Sequence, residues 1–495
     1  MSALPYALLV LAGFLLTQVA WIAAVPPFAG ADEFDHAFRA SGVAHGEWRL
    51  TRSTSEGRGL VVTVPGDLVS AATKQCASLS YTGRDNCLAI RKLPGGLVEI
   101  DTAAASYNPV FYALPGIASR PFSGAASLYA MRIASAAFCA AGVFVSALAW
   151  GSIARQRWGR LAFLASMPPT LLVTTAIPAP NGPEIVAGLA LWTSLLALTQ
   201  PGRSGRREGW LFVLATVATV LLCFLRLLGP LWVLLIVASV ALFRGRDRTR
   251  RFIRDHPRQV GAAVASAVLA VAGAAAWVVF ASGFNPPAAD VLALQGNPVN
   301  LADAFRVPLW MLQMVGAFPH RNEPAPPIVY PLWLIVVGVL LTLAIMRSRK
   351  GARVSIIIST VITLFLPVAI SLATIQDRGA IWQGRYLLPF VVGVLLLCGL
   401  ALDQADALHY ERIAIPSILM LVTAQVISVV QVARHELTRP ASALDPGWVH
   451  PSGLALGLLM ALAWVPLAVT AFVPGSPDVQ ERRPRPASRS DRLPT

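Results

Sequence analysis

The sequence predicts an all-α polytopic membrane bundle of about 12 transmembrane helices, with a small mixed extracytoplasmic domain in the first outer loop. Three observations support this fold class. The chain of 495 residues is 56% hydrophobic and only 13% charged, and its mean hydropathy is +0.62. Apolar runs of about 20 residues, the length that crosses a bilayer, recur along it. Short arginine-rich segments separate many of these runs, as the positive-inside rule expects of cytoplasmic loops.

Twelve apolar runs are predicted to span the membrane. They cover residues 5–25, 125–150, 161–178, 184–200, 209–226, 229–243, 259–281, 328–346, 354–374, 386–402, 413–433 and 453–473. The segment 244–258 holds seven arginines against two aspartates and is the strongest cytoplasmic signal. If both termini are cytoplasmic, every short arginine-rich loop lies inside. We therefore expect a multi-pass protein of the plasma membrane with both termini in the cytoplasm.

The chain divides into four parts. Residues 1–25 form the first transmembrane helix, 26–124 an extracytoplasmic loop domain, 125–473 the multi-span transmembrane bundle and 474–495 a disordered basic cytoplasmic tail. No Lys or Arg precedes the first apolar run, which is also longer than a signal-peptide core, so we expect a retained helix. Within the loop domain, residues 60–64 predict a strand, and the aromatic, proline-rich segment 107–115 predicts an interfacial re-entry helix.

The net charge indicates which class of partner to expect. The formal charge of +15 is explained by the cytoplasmic loops, so the lipid bilayer is the expected partner and nucleic acid is not.

Cys76 and Cys87 stand in the outer loop domain, on the oxidising side, where their spacing predicts a disulfide. The remaining cysteines lie inside apolar runs and are expected to pack there. No cysteine spacing typical of a metal site occurs.

Charged side chains are concentrated just beyond the first apolar run. The positions concerned are Asp32, Glu33, Asp35, His36 and Arg39. Ionisable groups near a bilayer are costly and often functional, although a solvated helix start at the interface is the alternative. Adjacent Asp32 and Glu33 cannot face the same way on a helix. One would therefore act as a general base, while the other would cap the helix or bind a divalent cation.

Further polar groups fall on the same side of the predicted membrane, among them Glu184, Arg226 and Arg385. Each has a structural alternative: a carboxylate in a first helical turn, a snorkelling arginine and an interfacial anchor. Together with a general base, arginines suit the binding of a phosphate and group transfer from a lipid phosphate. The sequence contains no glycine-rich phosphate loop, HExxH, GxSxG or CxxC pair, which argues against nucleotide-driven pumps, zinc proteases and serine hydrolases.

The order of these motifs resembles the membrane proteins of domain-of-unknown-function family 2142. Pro26-Pro27 follows the first span, then come Asp32-Glu33, His36 and Arg39. The later matches are segments 107–109, 180–184 and 383–386, and the resemblance covers residues 5–430 approximately. Segment 317–322 departs from the glycine- and tryptophan-rich stretch expected there.

That family is similar in layout to the glycosyltransferase C superfamily, whose enzymes place an acidic residue in the first outer loop and use polyprenyl-phosphate sugars as donors. The resemblance implies that Asp32 is the catalytic base, with Glu33 beside it. It also implies that Arg385 meets the lipid phosphate.

The prediction is therefore an integral membrane glycosyltransferase-like protein acting on the extracytoplasmic face. Its partners would be a polyprenyl-phosphate-linked sugar donor and a cell-envelope glycan acceptor. The expected site comprises catalytic Asp32 and Glu33, and substrate-binding His36, Arg39, Glu184, Arg226 and Arg385. Two alternatives stay open: a transporter or flippase of a lipid-linked glycan, and a non-catalytic cell-envelope assembly protein. The first would need charged groups at mid-membrane depth, of which the apolar runs contain few.

Overall fold

The computed structural model describes most of the chain. The described residues are 2–52, 59–78, 96–154, 157–200, 206–282, 300–378, 380, 382–405, 410–437 and 447–473. Cys87 and the side chain of Cys76 lie outside this part, as does the basic tail 474–495. The disulfide and the disordered tail therefore stay predictions.

The first half of the chain contains twelve described helices and two strands. The helices are α1 (Ala3–Ala24), α2 (Glu33–Ala44), α3 (Gly66–Ser78), α4 (Pro109–Ser119), α5 (Gly124–Gly151), α6 (Arg157–Ala165), α7 (Pro169–Thr175), α8 (Asn181–Leu198), α9 (Arg206–Leu225), α10 (Gly229–Arg244), α11 (Arg246–Asp255) and α12 (Pro257–Ser282). The strands are β1 (Leu60–Pro65) and β2 (Leu97–Thr102), and a 3-10 helix follows at Ala103–Ser106.

The second half is also helical. Its described helices are α13 (Val307–Val315), α14 (Pro319–Asn322), α15 (Val329–Arg347), α16 (Lys350–Arg378), α17 (Leu388–Ala405), α18 (Tyr410–Leu437) and α19 (Gly453–Phe472). Two short strands, β3 (Ala317–Phe318) and β4 (Glu323–Pro324), pair antiparallel, and 3-10 helices cover Leu301–Phe305 and Gly384–Leu387.

The predicted membrane bundle is confirmed in its class. Within the described ranges, nine helices are long and apolar enough to cross a membrane, and ten if α10 and α11, which meet at a bend of 110°, form one broken span. The predicted count of twelve is not confirmed. Two of the other predicted spans coincide with α8, of 18 residues, and α10, of 16 residues.

The predicted span 161–178 is wrong as a single helix. The structure has α6 ending at Ala165 and α7 beginning at Pro169, with Pro168 as its capping residue. Two consecutive prolines cannot donate the backbone hydrogen bonds that would continue α6, and their rings clash with the preceding turn. The apolar composition that predicted one span is real, since almost all of both helices is buried in the protein.

Helix α17 lies at the centre of the bundle. In its apolar, membrane-spanning stretch, 89% of the residues are buried inside the protein. The helix packs against α6, α8 and α15. Helix α12 lies at the periphery, where only 6% of the residues in its apolar stretch are buried. It presents apolar side chains outward, as a lipid-facing helix does. Burial in this bundle therefore separates helices that build the protein interior from helices that face lipid.

The segment after α1 contains a small mixed layer. Strands β1 and β2 pair antiparallel, with Val62 opposite Ile100, so the predicted strand 60–64 is confirmed. The predicted re-entry segment forms α4, whose first turn is capped by Asn108 through a hydrogen bond from the Val110 N–H to Oδ1 at 3.0 Å. Helix α2 packs against both α4 and β1, which places the acidic stretch against the end of the bundle.

Close packing between α8 and α17 gives a stability prediction. A Cβ atom at Gly393 would overlap the indole ring of Trp192, whereas a Cβ at Gly338 in α15 would meet no atom within 4 Å. Gly393→Ala is therefore expected to lower the free energy of unfolding by about 1–3 kcal/mol through overpacking. Gly338→Ala should keep or raise stability, because alanine favours a helix over glycine. Thermal melting in detergent measures both, and equal melting temperatures would contradict this packing.

Candidate functional site

Asp32 lies at the start of α2 with an accessible carboxylate. Its backbone is left-handed, with φ 55° and ψ 21°, a region that aspartate tolerates better than most residues. Its side chain is 42% exposed, and its Oδ2 lies 3.8 Å from Nη2 of Arg385. An unusual backbone conformation beside an accessible charged group is a recurring feature of functional sites.

Arg385 reaches this carboxylate from the 3-10 helix that precedes α17. The residue is only 7% exposed, and its Nη1 donates to Oδ1 of Asn322 at 2.9 Å. The neighbouring Gly384 N–H donates to Oε1 of Gln313 at 2.9 Å, and the same glycine lies against the backbone of Trp310 with no room for a Cβ. The Nε of Arg385 is buried and makes no hydrogen bond to the described protein. The guanidinium is therefore fixed in place with donor capacity to spare.

Arg226 and Glu184 form a second charged pair. Arg226, between α9 and α10, donates from Nη1 to Oδ1 of Asn181 at 2.8 Å. Its Nε lies 3.8 Å from Oε2 of Glu184. Glu184, in the first turn of α8, accepts a hydrogen bond on Oε1 from the Trp232 indole N–H at 3.1 Å and is 3% exposed. Glu184 thus orients Arg226 from a buried position.

Aromatic rings connect the two pairs. The Cζ of Arg226 lies 4.3 Å from the centre of the Tyr386 ring, and the Cζ of Arg385 lies 5.6 Å from the same centre. Arg226 also lies 6.0 Å from the ring of Tyr107, which contacts the His36 imidazole edge-on at 5.5 Å between ring centres. Arg226 therefore contacts both rings, while Arg385 contacts Tyr386 and His36 contacts Tyr107.

His36 is held by a hydrogen bond of its own. Its Nδ1 lies 2.7 Å from the hydroxyl oxygen of Tyr112, and the two rings stack. Burial raises the pKa of Tyr112 well above its ordinary value, so the phenol keeps its proton at neutral pH. The tyrosine fixes the orientation of the imidazole beside Tyr107.

Glu33 is enclosed and paired with Arg132. Arg132, in α5, contacts the carboxylate through Nε to Oε1 and Nη2 to Oε2, each at 2.7 Å, and neither side chain is more than 1% exposed. The same guanidinium donates to the carbonyl oxygens of Val25 at 2.6 Å and Pro26 at 2.7 Å, and Glu33 accepts from the Gly30 N–H at 3.0 Å. We call these contacts the Arg132–Glu33 clamp. The clamp ties the connection between α1 and α2 to α5.

Arg39 and Asp35 contact the chain that follows α2. Arg39 donates to the backbone oxygens of Glu47 and Trp48, each at 2.8 Å, and burial lowers its pKa to about 10, so it stays charged at neutral pH. Asp35 accepts from the Ala103 N–H at 2.8 Å. These contacts fix α2 to the chain that follows it.

The predicted site residues therefore separate into two groups. Asp32, His36, Glu184, Arg226 and Arg385 come together, and we call them the rim cluster. Glu33 and Arg39, also predicted to act on substrate, make the structural contacts described above. Among the described residues, no three His, Cys, Asp or Glu side chains gather as a metal site.

Sequence reasoning missed several residues of this region. Arg132 lies inside the predicted span 125–150, and a lone arginine in such a run signals a buried partner or a functional group. Tyr107 and Tyr386 lie in segments 107–109 and 383–386, which match the family pattern, but nothing in the sequence indicated that their rings contact Arg226. Asn322 carries no distinguishing pattern. A search for charged residues inside apolar runs finds Arg132, and no comparable signal finds Asn322.

The chain matches a known protein family over most of its length. The family DUF2142, described as "Predicted membrane protein (DUF2142)", matches residues 15–394. No curated protein matches the chain.

Two solved structures are similar in arrangement. One is ArnT from Cupriavidus metallidurans bound to undecaprenyl phosphate, with 16% sequence identity and a TM-score of 0.38 over 88% of this chain and 76% of that one. The other is the same protein in the apo state, with 14% identity and a TM-score of 0.38 over 88% of this chain and 75% of that one.

The Arg132–Glu33 clamp gives a stability prediction. Glu33→Gln leaves the charge of Arg132 buried without its counter-charge, so the free energy of unfolding should fall by about 3–5 kcal/mol. Thermal melting of the purified chain in detergent measures the loss. The matched control is Glu99→Gln, which breaks a salt bridge to Arg52 between side chains 57% and 59% exposed and should change the melting temperature little.

A double variant isolates the pairing itself. Glu33→Gln combined with Arg132→Met removes both charges, so its loss should be smaller than the sum of the two single losses. A Glu33→Gln chain that melts with the wild type would show that the clamp does not hold the fold.

Proposed function

We propose that this chain, which belongs to the DUF2142 family of membrane proteins, transfers a sugar from a polyprenyl-phosphate donor to a cell-envelope acceptor on the extracytoplasmic face of the membrane. The observation that carries the proposal is the position of the accessible Asp32 carboxylate 3.8 Å from the buried Arg385 guanidinium. Sugar transfer needs a base for the acceptor hydroxyl and a cation for the leaving phosphate, and these two groups supply both.

The chemical step follows from these roles. Asp32 takes the proton of an acceptor hydroxyl, and the acceptor oxygen attacks the anomeric carbon of the donor sugar. The bond between that carbon and the phosphate oxygen breaks, with inversion, and the polyprenyl phosphate leaves as an anion. Arg385 donates to the leaving phosphate from its fixed place 3.8 Å from Asp32, through guanidinium donors that Asn322 does not use.

The other members of the rim cluster support binding. Arg226 is held by Asn181 and Glu184, and its guanidinium lies over the Tyr386 ring that Arg385 also contacts. It therefore provides a second guanidinium that can bind the phosphate. His36, fixed by Tyr112, places an imidazole against the Tyr107 ring that Arg226 also contacts. Glu33 acts in this proposal as a positioning residue through the Arg132–Glu33 clamp, and Asp32 alone acts as base.

The distribution of arginine supports the proposed orientation. The rim cluster lies where α8, α10 and α17 begin, whereas Arg244 ends α10 and Arg349 lies between α15 and α16 at the other end of the bundle. The arginine-rich segments thus face away from the rim cluster. By the positive-inside rule, this arrangement supports a cytoplasmic position for the arginine-rich end and an extracytoplasmic one for Asp32.

Replacing the base should stop transfer and leave the fold intact. In cells lacking the protein, we expect polyprenyl-phosphate sugar to accumulate on the outer face, measured by mass spectrometry of lipid extracts from intact cells with and without prior treatment by a membrane-impermeant reagent that modifies the sugar. Wild-type chain should clear this lipid, and Asp32→Asn should slow its clearance at least about 100-fold, the contribution expected of a general base. Asp303→Asn is the matched control, because that carboxylate pairs with Arg306 outside the rim cluster.

Two results would contradict the proposal. Clearance by the Asp32→Asn chain at the wild-type rate would remove the base assignment. Accumulation of the lipid-linked sugar on the inner face would instead indicate a flippase, because the defect would then precede transfer.

Replacing the phosphate-binding arginine should weaken transfer by a smaller factor. Arg385→Gln removes a charge-assisted hydrogen bond to the leaving phosphate and should lower the clearance rate about 10- to 100-fold. Arg306→Gln, which removes an arginine that is 48% exposed and paired with Asp303, should leave the rate unchanged. Equal rates for the two variants would show that Arg385 does not meet the leaving group.

A further inference from the structure

A cavity of about 240 Å³ lies at the arginine-rich end of the bundle. It is lined by Gln200, Arg244, Arg248, Arg349 and Gln404. Helix α8 carries Glu184 in its first turn and ends at Leu198, two residues before Gln200, so about 21 Å of helix separates the rim cluster from this cavity. The cavity is therefore a separate place in the fold.

Five different segments meet at the cavity. Gln200 follows α8, Arg244 is the last residue of α10, Arg248 lies on α11, Arg349 precedes α16 and Gln404 lies near the end of α17. Helix α11 turns by 110° from α10, and none of its side chains is buried. A short, strongly basic helix that turns across the end of a bundle is typical of the membrane interface.

Arg244 is built into the cavity wall. It is 7% exposed, its Nε donates to Oγ1 of Thr199 at 2.9 Å, and its Nη2 donates to the Leu196 carbonyl at 2.6 Å. Arg248 lines the same cavity and brings a second guanidinium to it. A third guanidinium, that of Arg349, completes the lining. Three guanidinium groups thus line one cavity, and Arg244 among them is held in place by hydrogen bonds.

The lining offers no compensating charge. None of its five residues is a carboxylate, and Asp403, beside Gln404, directs Oδ1 to the Gly159 N–H at 3.1 Å in another part of the fold. The Oε1 atom of Gln200 is buried and makes no hydrogen bond to the described protein. Three guanidinium groups around a cavity large enough for a small group suit an anion with several oxygens.

We propose that this cavity binds a phosphate group, carried by the headgroup of an anionic phospholipid or by free phosphate. Arg244 provides a preordered wall, and Arg248 and Arg349 close on the phosphate oxygens from α11 and from the segment before α16. The side-chain amide of Gln200 meets a hydroxyl or oxygen of the same ligand. Basic pockets at the cytoplasmic ends of membrane helices take phospholipid headgroups by this chemistry. The bound phosphate holds α11 across the ends of α8, α15 and α17.

The full-length protein in nanodiscs provides the test. Melting temperature is measured in phosphatidylcholine nanodiscs, in nanodiscs that contain phosphatidylglycerol at increasing fractions, and in phosphatidylcholine nanodiscs with added inorganic phosphate. A ligand that binds the folded state raises the melting temperature with its concentration. We expect a rise with phosphatidylglycerol or with inorganic phosphate, and the arm that responds identifies the source of the phosphate.

Matched variants assign that response to the cavity. Arg248→Gln combined with Arg349→Gln removes two exposed lining charges and should weaken apparent binding at least about tenfold, because two charge-assisted contacts are lost. Arg250→Gln combined with Arg251→Gln removes two exposed charges from α11 outside the lining and should keep wild-type binding. No response in either arm would overturn the proposal, and so would equal weakening by both double variants.

Discussion

The buried ion pair between Arg132 and Glu33 is the interaction on which the rim cluster depends. The guanidinium meets both carboxylate oxygens at 2.7 Å and also donates to backbone oxygens at the end of α1. Burying two charges is costly, and such a pair is tolerated where, as here, the remaining donors are also satisfied. Because the clamp fixes the chain between α1 and α2 against α5, it also fixes the position of the residue before Glu33. Asp32 is presented at the rim because its neighbour is anchored inside.

The carboxylates of Asp32 and Glu33 are adjacent in the chain, yet they lie in different environments. Glu33 is enclosed and paired, which suits it to hold structure. Asp32 is accessible, in a left-handed conformation, and faces Arg385. The arginines opposite it are themselves oriented by neutral and acidic partners, Asn322 for one and Asn181 with Glu184 for the other. Positive charge is therefore preorganised next to a carboxylate that remains open to a ligand, which is the arrangement expected of a group-transfer site.

Much of this architecture could be predicted from sequence, since apolar runs of bilayer length report membrane helices directly. The run 161–178 was predicted as one helix from its apolar composition. It forms two helices because Pro168 and Pro169 interrupt it. In the acidic stretch, residue type alone could not separate Asp32 from Glu33, or show that Arg39 binds backbone oxygens of the following loop. Those differences are set by Arg132, 99 residues away from Glu33, and by the loop that α2 leads into. Contacts between distant segments leave no local pattern.

A structure of the full-length protein in a nanodisc with polyprenyl phosphate bound tests the central claim most directly. The account predicts the phosphate within hydrogen-bonding distance of the Arg385 guanidinium, with the Asp32 carboxylate facing the same space and Glu33 still paired with Arg132. A phosphate bound away from the rim cluster, or an Asp32 side chain turned out of the space beside it, would contradict the account.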